Sequence, residues 1–130
     1  QLKFSYRKSN LKKYIILSGR LRLHSAKKET IRKMINKFLK QRNKTQSNNL
    51  PNAGCIFKNP KGLTAGKLIQ ECGLKGKRLG GAVISPVHAN FILNTAKAHS
   101  KDVLALMDLM RREVKKKFKV MLKPEINIWK

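Results

Sequence analysis

The apolar and polar residues at the start of the chain alternate as they do in β-strands. Leu2, Phe4 and Tyr6 alternate with polar residues over positions 1–7, and residues 14–23 are again apolar with an alternating end. A period of two residues is the pattern of a half-buried strand. A polar turn at 8–10 separates the two stretches, so residues 1–23 are predicted to form a β-hairpin.

Apolar residues at helical spacing follow the hairpin. This stripe consists of Ile31, Met34, Ile35, Phe38 and Leu39. Residues three and four apart lie on one face of a helix, and Ser25 is a suitable N-cap. The pattern predicts a helix that ends near residue 40, followed by a polar linker over residues 41–50.

Two more helices are predicted further along the chain. Thr64 is the expected N-cap of a short helix that stops at Gly73, and Ser100 is the expected N-cap of a longer helix reaching toward Phe118. Asp102 suits the positive end of the longer helix.

The remaining apolar runs are short enough to be strands. They cover residues 82–84, 91–94, 118–122 and 125–129. Helices and strands interleave without a strict βαβ period, which favours an α+β fold. We therefore predict a single domain in which a small mixed sheet packs with about three helices.

The charge of the chain is strongly positive. Its 130 residues include 31 Lys and Arg against six Asp and Glu, for a formal net charge of +25 at pH 7. Such an imbalance favours anionic partners, such as nucleic acid or a phosphorylated ligand. A lysine-rich composition without functional meaning is the alternative explanation.

The cysteines and the hydropathy limit the possible classes of protein. Cys55 and Cys72 have neither the zinc nor the haem spacing, and no metal site is predicted. Nothing in the pattern supports a disulfide, so a reducing compartment is expected. No apolar run approaches the length of a membrane span.

One stretch, from Pro51 to Pro60, carries the best candidate chemistry. Two prolines bracket a thiol, an ammonium and a carboxamide, which belong to Cys55, Lys58 and Asn59. A loop that places these groups beside a helix N-terminus could hold an anion and donate a proton. The simpler interpretation, favoured from these residues alone, is a buried structural cysteine in a tight turn.

Four further polar residues stand at the ends of apolar segments. Glu125 is the only acid outside the helical patterns, and Arg7 ends the first predicted strand. His88 and Asn90 lie beside an apolar strand, where polar side chains more often satisfy backbone groups than bind ligands. Whether these residues meet in the fold does not follow from the sequence.

The chain resembles the C-terminal part of the UDP-N-acetylenolpyruvoylglucosamine reductase family. The matching segments keep the family's order and spacing over nearly the whole chain. They are Tyr6-Arg7-Lys8-Ser9, Pro51 to Pro60, Ala65-Gly66-Lys67-Leu68-Ile69, Gly73-Leu74-Lys75-Gly76, Gly80-Gly81, His88-Ala89-Asn90-Phe91, Lys117-Phe118 and Pro124-Glu125-Ile126.

This resemblance implies catalytic roles for three residues. Arg7 matches an arginine that polarises the enolpyruvyl carboxylate, and Glu125 matches a carboxylate that acts with it on the developing enolate. Cys55 stands where members have a serine or a cysteine that protonates the substrate carbon. Hydride addition builds negative charge beside a carboxylate, so a fixed cation and a proton donor suit the step.

The resemblance also implies the ligands. The substrate would be UDP-N-acetylglucosamine enolpyruvate, reduced to UDP-N-acetylmuramate for peptidoglycan with NADPH and FAD in the bacterial cytoplasm. The residues that match substrate-binding positions are Tyr6, Arg42, Lys58, Asn59 and His88.

The family's pattern divides the chain into three parts. Residues 1–23 correspond to the closing hairpin of a FAD-binding domain that is otherwise missing, residues 24–50 to a helix and linker, and residues 51–130 to the substrate-binding domain. This chain alone is therefore expected to be inactive and to hold FAD poorly. Ser47 follows the pair Thr45-Gln46, where the family often has proline.

A second hypothesis comes from the charge. The chain could be a non-enzymatic descendant of the same domain that binds RNA or a ribonucleoprotein, in bacteria or in an organelle. Lysines focused on one patch would favour this hypothesis. The joint presence of Arg7, Cys55 and Glu125 favours the enzyme.

Overall fold

The computed structural model describes residues 2–45 and 50–129, within which the chain forms three helices and five short strands. The predicted α+β class is confirmed. Strands in both sheets pair antiparallel, whereas a mixed sheet was predicted. Positions 46–49 of the predicted linker, including Gln46 and Ser47, lie outside the described residues, as do Gln1 and Lys130.

The chain divides into two compact units, Gln1–Lys33 and Met34–Lys130. The first unit contains a hairpin much shorter than the predicted one. Strands β1 (Phe4–Ser5) and β2 (Lys8–Ser9) pair antiparallel. The turn lies at Tyr6 and Arg7, and residues 14–23 form no strand, contrary to the prediction.

The apolar side chains of residues 14–23 explain that error. Ile15 and Leu17 are 91% and 92% exposed. A strand gains stability from packing against neighbours on its pleated surface. Without such packing, an alternating pattern alone does not produce a strand.

Helix α1 (Lys28–Thr45) starts near the predicted N-cap but continues five residues past the predicted end. The residues assigned to the start of the linker are polar, yet they form the last turn, which carries Arg42 and Lys44. Cations interact favourably with the negative C-terminal end of a helix, which accounts for the extension.

The second unit is built around a three-stranded antiparallel sheet in the order β3-β4-β5. Its strands are β3 (Arg78–Leu79), β4 (Ala82–Ile84) and β5 (Ile92–Asn94). The predicted strand at 82–84 is confirmed, and all three of its residues are buried. The backbone N–H of Thr95 donates to the carbonyl of Gly81 (2.9 Å), which extends the β4–β5 pairing.

Gly81 permits close packing at the turn between β3 and β4. A Cβ atom at this position would collide with the backbone of Ala96 and Ala98. Only glycine therefore allows the two segments to approach so closely. The tight backbone geometry expected from the glycines around position 80 is confirmed here.

Helices α2 (Ala65–Glu71) and α3 (Ser100–Phe118) pack against each other, and α3 also packs on β3 and β4. The predicted stripe of α3 is confirmed, since Met107, Met110 and Val114 are buried. Its N-cap is His99 rather than Ser100. Oδ2 of Asp102 accepts the backbone N–H of His99 (3.0 Å) at this end of the helix.

The strand predicted at 118–122 is wrong, because α3 continues to Phe118 and ends at Lys119 in the left-handed conformation. The stretch at 125–129 forms no strand either. The C-terminal segment contributes one isolated bridge, between Phe57 and Pro124. The pairing of the C-terminal segment with the Cys55 stretch lies at residues 123–125, at the start of the alternating residues.

None of the helices within 2–45 and 50–129 is long and apolar enough to cross a membrane.

Candidate active site

The stretch from Pro51 to Pro60 lies between the sheet and the C-terminal segment. On the sheet side, Asn94 donates its backbone N–H to the carbonyl of Pro51 (2.9 Å), and Ile56 donates to the carbonyl of Asn90 (2.9 Å). These bonds lay the stretch along the end of β5. Each of these bonds joins segments that are distant in the sequence, so the two bonds together fix the position of the stretch beside β5.

On its other side the stretch is bonded to the C-terminal segment. Lys58 donates its N–H to the carbonyl of Lys123 (2.9 Å), and Glu125 donates to the carbonyl of Ile56 (2.8 Å). Glu125 is partly buried and its backbone pairs with the residue that follows Cys55. The structure thus places two of the three predicted catalytic residues on adjacent, hydrogen-bonded segments.

The backbone turns sharply just before Cys55. The N–H of Gly54 donates to Oδ1 of Asn52 (2.9 Å), and Gly54 has a φ of 77°. That left-handed conformation suits glycine, which has no Cβ to clash. The turn aims Cys55 at a small apolar cluster of Val83, Phe91 and Leu93, where its thiol is partly buried.

Cys55 also lines a surface pocket of about 330 Å³. The wall combines polar and apolar groups and comes from the Cys55 stretch, helix α2 and the turn before β5. Its residues are Cys55, Asn59, Thr64, Gly66, Lys67, Gln70, Val87, His88, Ala89 and Asn90. The pocket therefore brings together three predicted site residues, Cys55, Asn59 and His88.

The start of helix α2 orients the carboxamide of Asn59. The N–H of Ala65 donates to Asn59 Oδ1 (3.0 Å), whereas Thr64, the N-cap residue, makes no side-chain cap bond. Because the oxygen of this carboxamide accepts a backbone N–H, the identity of its oxygen and of its NH₂ group is determined. Asn59 thus enters the pocket wall with a defined donor and acceptor.

His88 is held as a neutral imidazole. Its Nδ1 accepts the backbone N–H of Asn90 (3.2 Å), and its ring meets Phe91 edge to face at 4.8 Å between centroids. Burial lowers the pKa of His88, the charge of Lys75 acts in the same direction, and a backbone hydrogen bond opposes them. With Nδ1 as the acceptor, the proton of the neutral ring resides on Nε2.

Lys58 and Arg42 are exposed and are not among the residues of the pocket wall. Lys58 lies in the bonded stretch, and Arg42 lies in the last turn of α1. Their assignment as substrate-binding residues stays a prediction.

Arg7 and Tyr6 occupy the turn of the hairpin in the first unit, with the Arg7 guanidinium 5.8 Å from the centre of the Tyr6 ring. Arg7 has a φ of 56°. A residue with a Cβ pays roughly 1–2 kcal/mol in that conformation, and such strain is common at functional sites. The positive φ fits the place of Arg7 in a two-residue hairpin turn. Its catalytic role and its convergence with Cys55 and Glu125 stay predictions.

Sequence analysis missed the contribution of α2 to the pocket. A Cβ on Gly66 would lie 3.1 Å from His88 Cε1, so the helix approaches the imidazole closely because residue 66 is glycine. Lys67 and Gln70 follow on the pocket side. A glycine inside a short helical pattern is the signal that points to such an approach.

The fold and the pocket define a small α+β domain with a cysteine, a carboxamide and an imidazole at one pocket. Residues 44–129 match the model of the family described as "UDP-N-acetylenolpyruvoylglucosamine reductase, C-terminal domain". The chain belongs to this family, and the resemblance inferred from its motifs is confirmed.

Individual relatives agree with the family match. The chain is 40% identical to UDP-N-acetylenolpyruvoylglucosamine reductase 2 of Symbiobacterium thermophilum, over 99% of this chain and 42% of that protein. It is 42% identical to the reductase of Clostridium beijerinckii, over 99% of this chain and 43% of that protein.

A solved structure is similar as well. The crystal structure of UDP-N-acetylenolpyruvylglucosamine reductase from Thermus caldophilus matches with a TM-score of 0.74 and 39% identity. The match covers 99% of this chain and 46% of that one. The chain thus spans less than half the length of the proteins that it matches.

Proposed function

We propose that the chain is the substrate-side part of a reductase that converts UDP-N-acetylglucosamine enolpyruvate to UDP-N-acetylmuramate in the bacterial cytoplasm, for peptidoglycan synthesis. Family membership gives the reaction class. The observation that carries the proposal is the Cys55 residue, which lines a pocket together with Asn59 and His88 and lies within a hydrogen-bonded stretch. A proton donor must be held in this way to act in a single step.

The chemistry of the pocket residues follows from what the reaction needs. When bound, FAD supplies the hydride that NADPH provides and that adds to the enolpyruvyl double bond. Cys55 donates a proton to the neighbouring carbon, since a thiol gives up its proton more readily than a hydroxyl does. As negative charge develops on hydride addition, Arg7 pairs with the enolpyruvyl carboxylate and Glu125 acts with it on the developing enolate.

The described pockets fit the substrate better than the flavin. The pocket at Cys55 has donors and acceptors of the kind that recognise sugar hydroxyl and acyl groups, and its wall carries no Phe, Tyr or Trp on which a flavin ring could stack. We therefore assign FAD to the part of the reductase beyond this chain. Residues 1–23, which include the short hairpin of β1 and β2, would be the last part of that flavin domain.

The substrate would be bound by residues on both sides of the thiol. Asn59 and His88 line the pocket and supply directed hydrogen bonds. Lys58, Arg42 and Tyr6 would contact the nucleotide or its diphosphate, where cations and an aromatic ring suit a charged ligand with a base.

The family match favours the reductase over the RNA-binding alternative. Helix α1 contains seven Lys and Arg, helix α3 contains six and helix α2 contains one, while the others within 2–45 and 50–129 lie in strands and loops. A nucleic-acid site would concentrate its cations on one face. Binding that weakens steeply with salt would be the signature of this alternative.

The full-length protein tests the proposal through Asn59. Asn59→Ala should raise the Kd for UDP-N-acetylglucosamine enolpyruvate by about tenfold or more, the typical loss of a hydrogen bond to a polar ligand group. Asn36→Ala, on the exposed surface of α1, is the matched control and should leave the Kd unchanged. Titration calorimetry measures both values, and NADPH consumption measures turnover.

Two results would contradict the proposal. One is NADPH oxidation by the full-length protein that does not depend on the UDP-sugar. The other is equal affinity for the substrate in the wild type and in Asn59→Ala.

A further inference from the structure

One buried carboxamide holds the stretch that carries Cys55. Asn90 is 2% exposed. Its Oδ1 accepts the backbone N–H of Phe57 (3.0 Å), and its Nδ2 donates to the carbonyl of the same residue (2.8 Å). Its own carbonyl accepts the N–H of Ile56 (2.9 Å), so Asn90 makes all three of these bonds to the two residues after Cys55.

We infer that Asn90 is a positioning residue that sets where the Cys55 thiol lies in the pocket. Cys55 is between Gly54, which fixes the turn, and the pair Ile56–Phe57, whose side chains are each 1% exposed. With the backbone fixed on both sides, Cys55 has only its side-chain torsion left to vary. This inference rests on the proposed function of Cys55 as a proton donor.

Asn90 also contacts His88 in the pocket wall. Its backbone N–H donates to His88 Nδ1 (3.2 Å), which sets the tautomer and the plane of the imidazole. Because this bond uses the main chain of residue 90, it persists when the side chain is replaced. A change of the Asn90 carboxamide should therefore alter the placement of Cys55 relative to His88 without removing either side chain.

Asparagine is the residue type that this arrangement needs. The backbone of Phe57 offers one donor and one acceptor, and a carboxamide complements both at once. An ionised aspartate has acceptors only, so it would face the Phe57 carbonyl with a negative charge. Leucine has a similar volume but would leave both buried backbone groups without partners.

The test compares asparagines at the two ends of the β5 region in the full-length protein. Asn90→Asp keeps the acceptor and loses the donor. Asn94→Asp is the matched control, because Asn94 uses only Oδ1, which accepts the N–H of Ala98 (3.0 Å), and it does not line the pocket. The first readout is the rate at which iodoacetamide alkylates Cys55, measured by peptide mass spectrometry, with Cys72 of the same molecule as reference.

We expect Asn90→Asp to change the Cys55 alkylation rate by about fivefold or more relative to Cys72, the scale of one lost buried hydrogen bond. Asn94→Asp should leave the ratio unchanged. Cys72 packs against the core beside α3 and its pKa is raised by burial, so general loosening would show as a parallel change at Cys72. If Asn90→Asp does not fold, Asn90→Ser, which introduces no charge, provides the Cys55 to Cys72 alkylation ratio instead.

The second readout is kinetic. Asn90→Asp should lower kcat by about tenfold or more, while the Kd for the UDP-sugar changes less than about threefold, because proton donation needs a narrower geometry than binding. A wild-type protein without reductase activity would overturn the proposed function. It would not overturn the placement of Cys55 by Asn90, because the alkylation rate measures that placement without any need for activity. Alkylation rates that move together at Cys55 and Cys72, or not at all, in both Asn90 variants would overturn the inference.

Discussion

Helices α1 and α3 have almost the same length and the same kind of amphipathic pattern, but only one of them buries its apolar face. In α3, Leu106, Met107, Met110 and Val114 are at most 3% exposed. In α1, the corresponding stripe of Ile31, Met34, Ile35, Phe38 and Leu39 is between 43% and 57% exposed. The two helices show that periodicity identifies the apolar face of a helix but does not predict whether another element packs against that face.

Helix α3, whose apolar face is buried, also supports the stretch that carries Cys55. Helix α3 packs on β3, β4 and α2, and its buried side chains share one core with Ile56 and Phe57. The stretch that carries Cys55 is thus tied to the α3 core. A change in that core should affect the site, whereas a change on the face of α1 should leave the fold of this chain as it is.

The largest difference between the helices should appear when one leucine is truncated in each. Leu106 is fully buried and Leu39 is half exposed. In this chain, Leu106→Ala should lower the free energy of unfolding by about 2–5 kcal/mol, from lost burial and the cavity that remains. Leu39→Ala should change it by no more than about 0.5 kcal/mol.

Urea unfolding followed by circular dichroism measures both values. Similar losses for the two variants would mean that the face of α1 is covered within this chain, and the contrast between the helices would be wrong.

A smaller effect should separate two histidines. Burial lowers the pKa of His88 below its ordinary 6.5, so the folded state takes up its proton less readily than the unfolded chain. The contribution of His88 to stability is therefore complete above pH 6.5 and is lost as the pH falls below that value. His24, which is exposed, is the matched control in the other unit.

The measurement is the urea midpoint at about pH 7.5 and about pH 5.5. His88→Gln should reduce the acid loss of stability, and His24→Gln should leave it unchanged. If His88→Gln and the wild type lose the same stability at acid pH, the lowered pKa of His88 does not contribute to the acid sensitivity of the fold.

Sequence patterns predicted the elements that find cover within the domain. Strand β4 and the apolar stripe of α3 agree with the prediction because the apolar residues of each are buried by neighbouring elements. The predictions failed at residues 14–23 and 125–129, where alternation exists without a sheet to join. The end of α1 was also misjudged, since polar residues can extend a helix whose last turn is basic.

The candidate site was predictable in its residue types and less so in its arrangement. The motif around Cys55 indicated a thiol, a carboxamide and a nearby helix, and Asn90 was correctly expected to satisfy backbone groups. The approach of α2 to His88 depends on tertiary contacts between segments about twenty residues apart, to which local patterns are blind. The positive φ of Arg7 likewise depends on a turn that is two residues earlier than predicted.

The central claim is that Cys55 donates the proton, and stopped-flow traces of flavin reoxidation by the UDP-sugar test it most directly. In the full-length protein, Cys55→Ala should slow this half-reaction by about 10²–10⁴-fold, the usual contribution of a general acid. Reduction by NADPH and substrate affinity should stay near the wild-type values, because neither needs that proton. Cys55→Ser should recover much of the rate, since a hydroxyl can donate from the same position.

Cys72→Ala is the matched control, because Cys72 packs against the core and lies outside the pocket wall. Its reoxidation rate, corrected for the folded fraction, should equal that of the wild type. The account predicts slow reoxidation in Cys55→Ala alone, with fast flavin reduction retained. Equal reoxidation rates for the wild type and Cys55→Ala would remove Cys55 from the mechanism and contradict the account.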